Sequence, residues 1–443
     1  MNEQALKKSV GLAGAVFLIV GYVVGATIFI LPGPLAAEAG PGIFVAYIIA
    51  ACLAVFACVV AGQVGSAFPV SGANMVMVHR VLPRYWGFFE AFILPIAIVF
   101  TLPLIAYGFA EYLSFFFSNI NFMLTAVLLI LFFLVVNLLG IQVAAWVQAV
   151  MTIEFVVALL IFGAGGILKG DTQLLIPLFP GGFRPLLVAA VPAYASFFGF
   201  LFIAEIAEEV KNPTKHIPRA LIIGFVIVAV IYVSVPLAVT RLLSWNTLGE
   251  TQAAVAVASE VFLPAWMAKI IALSALMAIA TCINGVFIAN TRDFLAYGRN
   301  GIYPAVFARI SEKNRSPYVG LYLITLLSIL GILLKLSITY YATVAVMCFL
   351  TFQILSGIAV FLLPTRLPDT FAASPIKLKP FARVFFSLGL VIISGIFFIL
   401  AVMDKPSTAP VFFGAFLMSA IYYWLRSNWL NSRAINVDEL LKR

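Results

Sequence analysis

Apolar residues fill the chain in long runs, and polar residues gather in the short gaps between them. Twelve runs are each about 20 residues long, the length an α-helix needs to cross a bilayer. They cover 11–37, 42–66, 85–110, 122–140, 144–167, 186–208, 220–241, 266–291, 318–337, 340–363, 384–403 and 408–426. The first run is a poor continuous helix. It carries Gly21-Tyr22-Val23-Val24-Gly25-Ala26-Thr27-Ile28-Phe29, then Pro32 and Pro34. Gly costs about 1 kcal/mol against Ala inside a helix, and Pro about 3. In lipid, backbone groups freed by a break are tolerated only against protein or a polar cavity. The sixth run repeats the pattern with Pro192 and Ser196-Phe197-Phe198-Gly199-Phe200. Gly21 and Gly25 also have the spacing that lets two membrane helices pack closely. A second break in the matching position of the next half favours a binding site.

Runs 1–5 and 6–10 therefore read as two related halves. Five spans is an odd number, so the halves have opposite topology, and paired broken helices in such a repeat point to a midplane site of a secondary transporter. The expected fold is an all-α polytopic membrane protein of 12 transmembrane helices. It is a 5+5 inverted repeat with discontinuous helices 1 and 6, plus helices 11 and 12. The expected organisation is a cytoplasmic N-terminus (1–10), a first repeat (11–167), an extracellular loop (168–185), a second repeat (186–363), a cytoplasmic loop (364–383), helices 11 and 12 (384–426) and a cytoplasmic tail (427–443).

Composition agrees. The 443 residues are 64% hydrophobic and 10% charged, against about 25% charged in soluble domains. The net charge of +9 does not imply nucleic acid, because its distribution has another cause. With the N-terminus inside, only Lys169, Arg184, Arg241, Lys269, Lys335 and Lys405 of the 26 lysines and arginines fall outside. That is a strong positive-inside bias, placing both termini in the cytoplasm of a multi-pass cell-membrane protein. The short polar start with Lys7 and Lys8 precedes a run too long for a signal-peptide core. Cys52, Cys58, Cys282 and Cys348 all lie in apolar runs and read as small buried hydrophobes. His79 and His216 fall at predicted loops or helix ends. No metal spacing, cofactor motif or nucleophile–base–orienter set is apparent, so an enzyme is not expected.

Three further stretches carry a family likeness. They are Phe68-Pro69-Val70-Ser71-Gly72, then Ala207-Glu208-Glu209-Val210-Lys211-Asn212-Pro213 with Ile217-Pro218-Arg219-Ala220, and Arg292, Ala296, Arg299, Asn300, Gly301 and Pro304. With the first-run glycines they resemble the amino acid–polyamine–organocation (APC) superfamily of amino acid permeases, over about residues 10 to 320. The resemblance implies first and sixth helices unwound around the α-amino and α-carboxylate groups of an amino acid. A carboxylate suits free N–H groups at a half-helix N-terminus, here Gly25, Ala26 and Thr27. An ammonium suits unpaired carbonyls near Tyr22, Val23, Ser196 and Phe197. Gly199 allows close backbone approach, and at least one of Phe197, Phe198 and Phe200 is a candidate to face the substrate, the alternative being lipid or core packing.

Departures from the family matter too. Cationic and polyamine exchangers rely on an acid after the sixth-helix Gly-aromatic pair, where this chain has Leu201. That argues for neutral amino acids. Several members carry a Lys in the fifth segment; aligning Val147-Gln148 with that region puts Phe155 there, so a lysine mechanism does not carry over.

An acid inside a span is a functional hypothesis by default, and Glu154 is the notable one. The alternative is a group that only ties helices together. Glu205 is the second coupling candidate. It lies four residues before Glu209, on one face of a continuing helix, and otherwise reads as a solvated helix end. Glu208 and Glu209 can pair with Arg292 and Arg299 as an inner gate, or serve as plain loop charge. Ser274, Thr281 and Cys282 are the polar side chains available to a sodium site, which is unsupported but open, and Asn284 is a candidate for an interhelical hydrogen bond. The expectation is a neutral amino acid transporter working by alternating access with proton coupling. An amino acid exchanger is the near alternative, and a non-transporting sensor of the same fold a more distant one.

Overall fold

The computed structural model describes residues 6–114, 116–117, 119–249 and 253–432. The outermost parts of the expected terminal segments 1–10 and 427–443 lie outside the described residues, as do Arg433, Lys442 and Arg443. Among the described residues the chain is helical, with no β-strand beyond two isolated bridges, Val10 with Val210 and Ser71 with Ile206.

The first half comprises α1 (Leu12–Val23), α2 (Thr27–Ile30), α3 (Pro32–Ala39), α4 (Ile43–Ala67), α5 (Ala73–Val81), α6 (Arg84–Ser114), α7 (Phe122–Leu138) and α8 (Ile141–Lys169). The second continues with α9 (Phe183–Ala195), α10 (Phe202–Glu205), α11 (Pro213–Leu242), α12 (Trp245–Gly249), α13 (Ala254–Glu260), α14 (Ala265–Arg299), α15 (Tyr318–Leu333) and α16 (Ile338–Arg366). Last come α17 (Pro368–Ala373), α18 (Pro380–Asp404) and α19 (Ala409–Ser432). Eight helices are long and apolar enough to cross a membrane, and α1, α7, α9 and α15 are shorter apolar helices. The protein is a multi-pass membrane protein.

Burial separates centre from rim. The most apolar window of α14 is 78% buried, against 17% for α18 and for the α19 segment. The centre is α14 with α1, α6, α8 and α15 around it; α11 packs on α1, α4 and α8, and α18 lies outside on α16. The apolar interior forms two large clusters, and Tyr22 at the end of α1 packs against both.

Two expected spans are interrupted where Gly stands. The first breaks between Val23 and Thr27, and the sixth between Ala195 and Phe202. Two of the boundaries that differ from expectation bear on the site. The eighth span runs past 291 to Arg299, so Arg292 and Arg299 sit on the last turns of a helix instead of a loop. The sixth does not run on as one helix to Glu209: α10 ends at Glu205 and a separate 3-10 turn covers Ala207–Glu209.

Candidate functional site

The break in the first span leaves carbonyls without helical partners, and side chains of other helices reach them. The Cys282 thiol on α14 donates to the Tyr22 carbonyl at 3.2 Å. The Tyr232 hydroxyl on α11 lies 2.9 Å from the Val23 carbonyl and 3.0 Å from the Ser196 carbonyl, sharing its one proton between the two breaks. Gly25 is needed here because a Cβ would stand 2.7 Å from the Cys282 sulfur. Gly199 has φ +124°, and a Cβ would stand 2.5 Å from the Tyr22 ring. Left-handed backbone and close approach both demand Gly. The Tyr22 ring then stacks on Phe202, with centroids 4.6 Å apart.

Beside these breaks lies a cavity lined by Tyr22, Gly199 and Leu201 together with Asn74, Glu90, Glu205 and Asp293. Asn74, Glu90, Glu205 and Asp293 are all buried. The Asn74 side-chain amide donates to Glu90 Oε1 at 2.8 Å, and its oxygen accepts from Ser356 at 2.6 Å. The Glu205 carboxyl lies beside the Asn74 backbone and the carboxyl of Asp293.

Beside the cavity two ion pairs join the 3-10 turn Ala207–Glu209 to α14, both within the second half. Arg292 Nε and Nη2 donate to Glu209 Oε2 and Oε1 at 2.7 and 3.1 Å. Arg299 Nη1 donates to Glu208 Oε2 at 2.8 Å. Glu208 also accepts from Ser71 at 2.7 Å and from the Leu6 backbone N–H at 3.0 Å. Burial alone pushes the Glu208 carboxyl up; the Arg299 guanidinium with these donors outweighs it and holds the group below its ordinary value. The N-terminal segment joins the same patch, since Ser9 and Val10 N–H groups donate to the Glu209 carbonyl and Lys211 N–H donates to the Val10 carbonyl.

The structure thus brings Glu208 to Arg299 and Glu209 to Arg292. Of the residues expected around a substrate, Tyr22, Gly199 and Phe200 border the cavity. Val23 and Ser196 meet at Tyr232, which also neighbours Gly25 and Thr27. Ala26 accepts from Phe29 N–H as the next helix begins, and Phe197 packs edge-on against Tyr232. Glu154 is elsewhere: it accepts from Ser274 at 2.8 Å between α8 and α14 and does not border the cavity. Glu205 does border it, but shares no helix face with Glu209, because the chain turns at Ile206 between them. Thr281 donates back to Ala278, and Asn284 Nδ2 donates to Gln148 at 2.8 Å and to the Ala144 carbonyl at 3.0 Å.

Sequence reasoning missed Glu90, Asp293, Asn74 and Tyr232. Glu90 had a visible signal, an acid inside the third run. Asp293 was hidden by ending the eighth run at 291. Nothing in the sequence singles out the Tyr232 hydroxyl.

A helical, multi-pass chain with two interrupted helices beside a partly polar cavity has the build of a membrane permease. The family model described as "Amino acid permease" matches residues 10–425, and the chain belongs to that family. It is 24% identical over 415 residues to the branched-chain amino acid permease BcaP of Bacillus subtilis, covering 88% of this chain and 89% of that one. It is 24% identical over 437 residues to the serine/threonine exchanger SteT of the same organism, covering 93% and 98%. The chloroplastic cationic amino acid transporter 9 of Arabidopsis thaliana is 27% identical over 339 residues, with 70% and 58% covered.

Proposed function

We propose that this permease is a secondary active transporter of neutral amino acids, driven by the proton gradient across the cell membrane through alternating access. The observation that carries the reading is the meeting of the two helix breaks, where one Tyr232 hydroxyl serves both the Val23 and the Ser196 carbonyl. In this reading α1 and α9 with their continuations complete two of 12 spans, arranged as a 5+5 inverted repeat with both termini cytoplasmic. The substrate's carboxylate takes the N–H groups of Gly25, Ala26 and Thr27, and its ammonium takes the carbonyls that Tyr232 and Cys282 now cover. Leu201 on the cavity wall supports a neutral side chain. Of the two coupling carboxyls, Glu205 borders the cavity, whereas Glu154 is held by Ser274.

Exchange is the second reading, favoured by the coverage of SteT. Sealed proteoliposomes separate the two. Uptake of radiolabelled alanine, serine and leucine into empty vesicles under an inward proton gradient supports symport. Uptake confined to preloaded vesicles means exchange. Accumulation that follows a sodium gradient instead would replace the proton, and competition by arginine would overturn the neutral preference.

A further inference from the structure

Three acids in one buried chamber need an explanation that helix packing does not supply. Glu90 comes from α6, Glu205 from α10 and Asp293 from α14, and all three face the same cavity. Oε2 of Glu90 and Oε2 of Glu205 are buried and have no hydrogen-bond donor, though the two residues are only 3% and 8% exposed. A buried carboxyl whose second oxygen has neither a donor nor a cation is disfavoured in its ionised form. The nearest guanidinium is no remedy. Arg292 precedes Asp293 in the chain, but its nitrogens are taken by Glu209, Thr291 and the Ile288 carbonyl.

We infer that Glu90, Glu205 and Asp293, gathered around Asn74 between the helix breaks and the Arg292–Glu209 pair, form the chamber that carries the coupled proton. The inference rests on the proton-coupled reading above. Two carboxyls in contact, such as Glu205 and Asp293, cannot both be ionised cheaply, and a shared proton turns their repulsion into a hydrogen bond. Asn74 holds the arrangement. Ser356 occupies its oxygen, so its amide nitrogen must face Glu90.

The other titratable groups facing the cluster are Tyr22 from α1 and Tyr297 from α14, while α5 and α16 present Asn74 and Gln353. Release follows from the same geometry. When Glu209 leaves Arg292, an uncompensated guanidinium stands one residue from Asp293. Its charge favours the carboxylate, and the proton passes from the carboxyl to cytoplasmic water.

The test uses the full chain in proteoliposomes, with labelled leucine, alanine and serine as probes. Two quantities are compared for each variant: accumulation driven by a one-unit proton gradient, and counterflow with no gradient. At one proton per substrate such a gradient sustains about tenfold accumulation. In Glu205→Gln and Asp293→Asn the ratio of accumulation to counterflow should fall close to the gradient-free value. In Glu205→Asp, which keeps a titratable group, it should recover. Amide variants that keep the wild-type ratio overturn the chamber while leaving symport intact. Equal loss in the amide and the Asp variant also overturns it, since the loss is then structural. A wild type that ignores the proton gradient sinks the symport reading itself. Displacement of leucine by lysine or putrescine, with no proton dependence, would make the chamber a site for organic cations and overturn the proposal.

Discussion

Arg292 holds Glu209 with two nitrogens, at 2.7 and 3.1 Å, and both side chains are buried. Removing one partner of a buried pair leaves the other charge uncompensated, at a cost of about 3–5 kcal/mol. Glu209→Gln and Arg292→Met should each lower the thermal midpoint of the detergent-purified protein. The double variant should be more stable than either single one. Additive losses would mean that the pair carries no coupling.

The second pair predicts a pH dependence. Glu208 is held below its ordinary value by Arg299, Ser71 and the Leu6 N–H. A depressed carboxyl contributes stability above its unfolded value and loses it as pH falls through the folded one. Wild type should therefore exceed Glu208→Gln in thermal stability at pH 7. The gap should close below the usual carboxylate range of about 4. A gap that persists in acid would remove the charge from the explanation.

Tyr232→Phe keeps the ring and deletes the hydroxyl shared by Val23 and Ser196. Leaving a buried carbonyl unserved costs about 1–3 kcal/mol. The variant should melt earlier, and added substrate should restore more stability than it gives the wild type, because in the proposed site the substrate's ammonium takes over the freed carbonyls. Equal stabilisation by substrate in both proteins would place the ammonium elsewhere.

Gly25→Leu puts a branched side chain where a Cβ already meets the Cys282 sulfur at 2.7 Å. The protein should still insert, since the apolar pattern of the first run is unchanged, and amino acid binding should be lost. Binding of radiolabelled leucine at wild-type affinity would remove the first helix break from the site.

These tests also mark what the sequence could and could not reveal. The long apolar runs and the glycines at 25 and 199 made the membrane character and both helix breaks legible, because lipid forbids a casual break. Arg292 and Asp293 misled, since two adjacent charges look like the end of a span. Here Glu209 satisfies one charge and the chamber takes the other, so the helix runs on to Arg299. The expected common face of Glu205 and Glu209 required a continuous helix, and a turn at Ile206 sends one carboxyl to the cavity and the other to Arg292. Such partners lie far along the chain, so no local pattern announces them.

That distance has a consequence for how the protein is made. Leu6 donates to Glu208, 202 positions later in the chain. Glu208 and Glu209 then wait for Arg299 and Arg292, 91 and 83 positions further on. The two ion pairs cannot form until the eighth run has been synthesised. A nascent chain halted before Arg292 carries Glu209 without that guanidinium, so the carboxylate that the complete molecule buries has no partner until α14 is made.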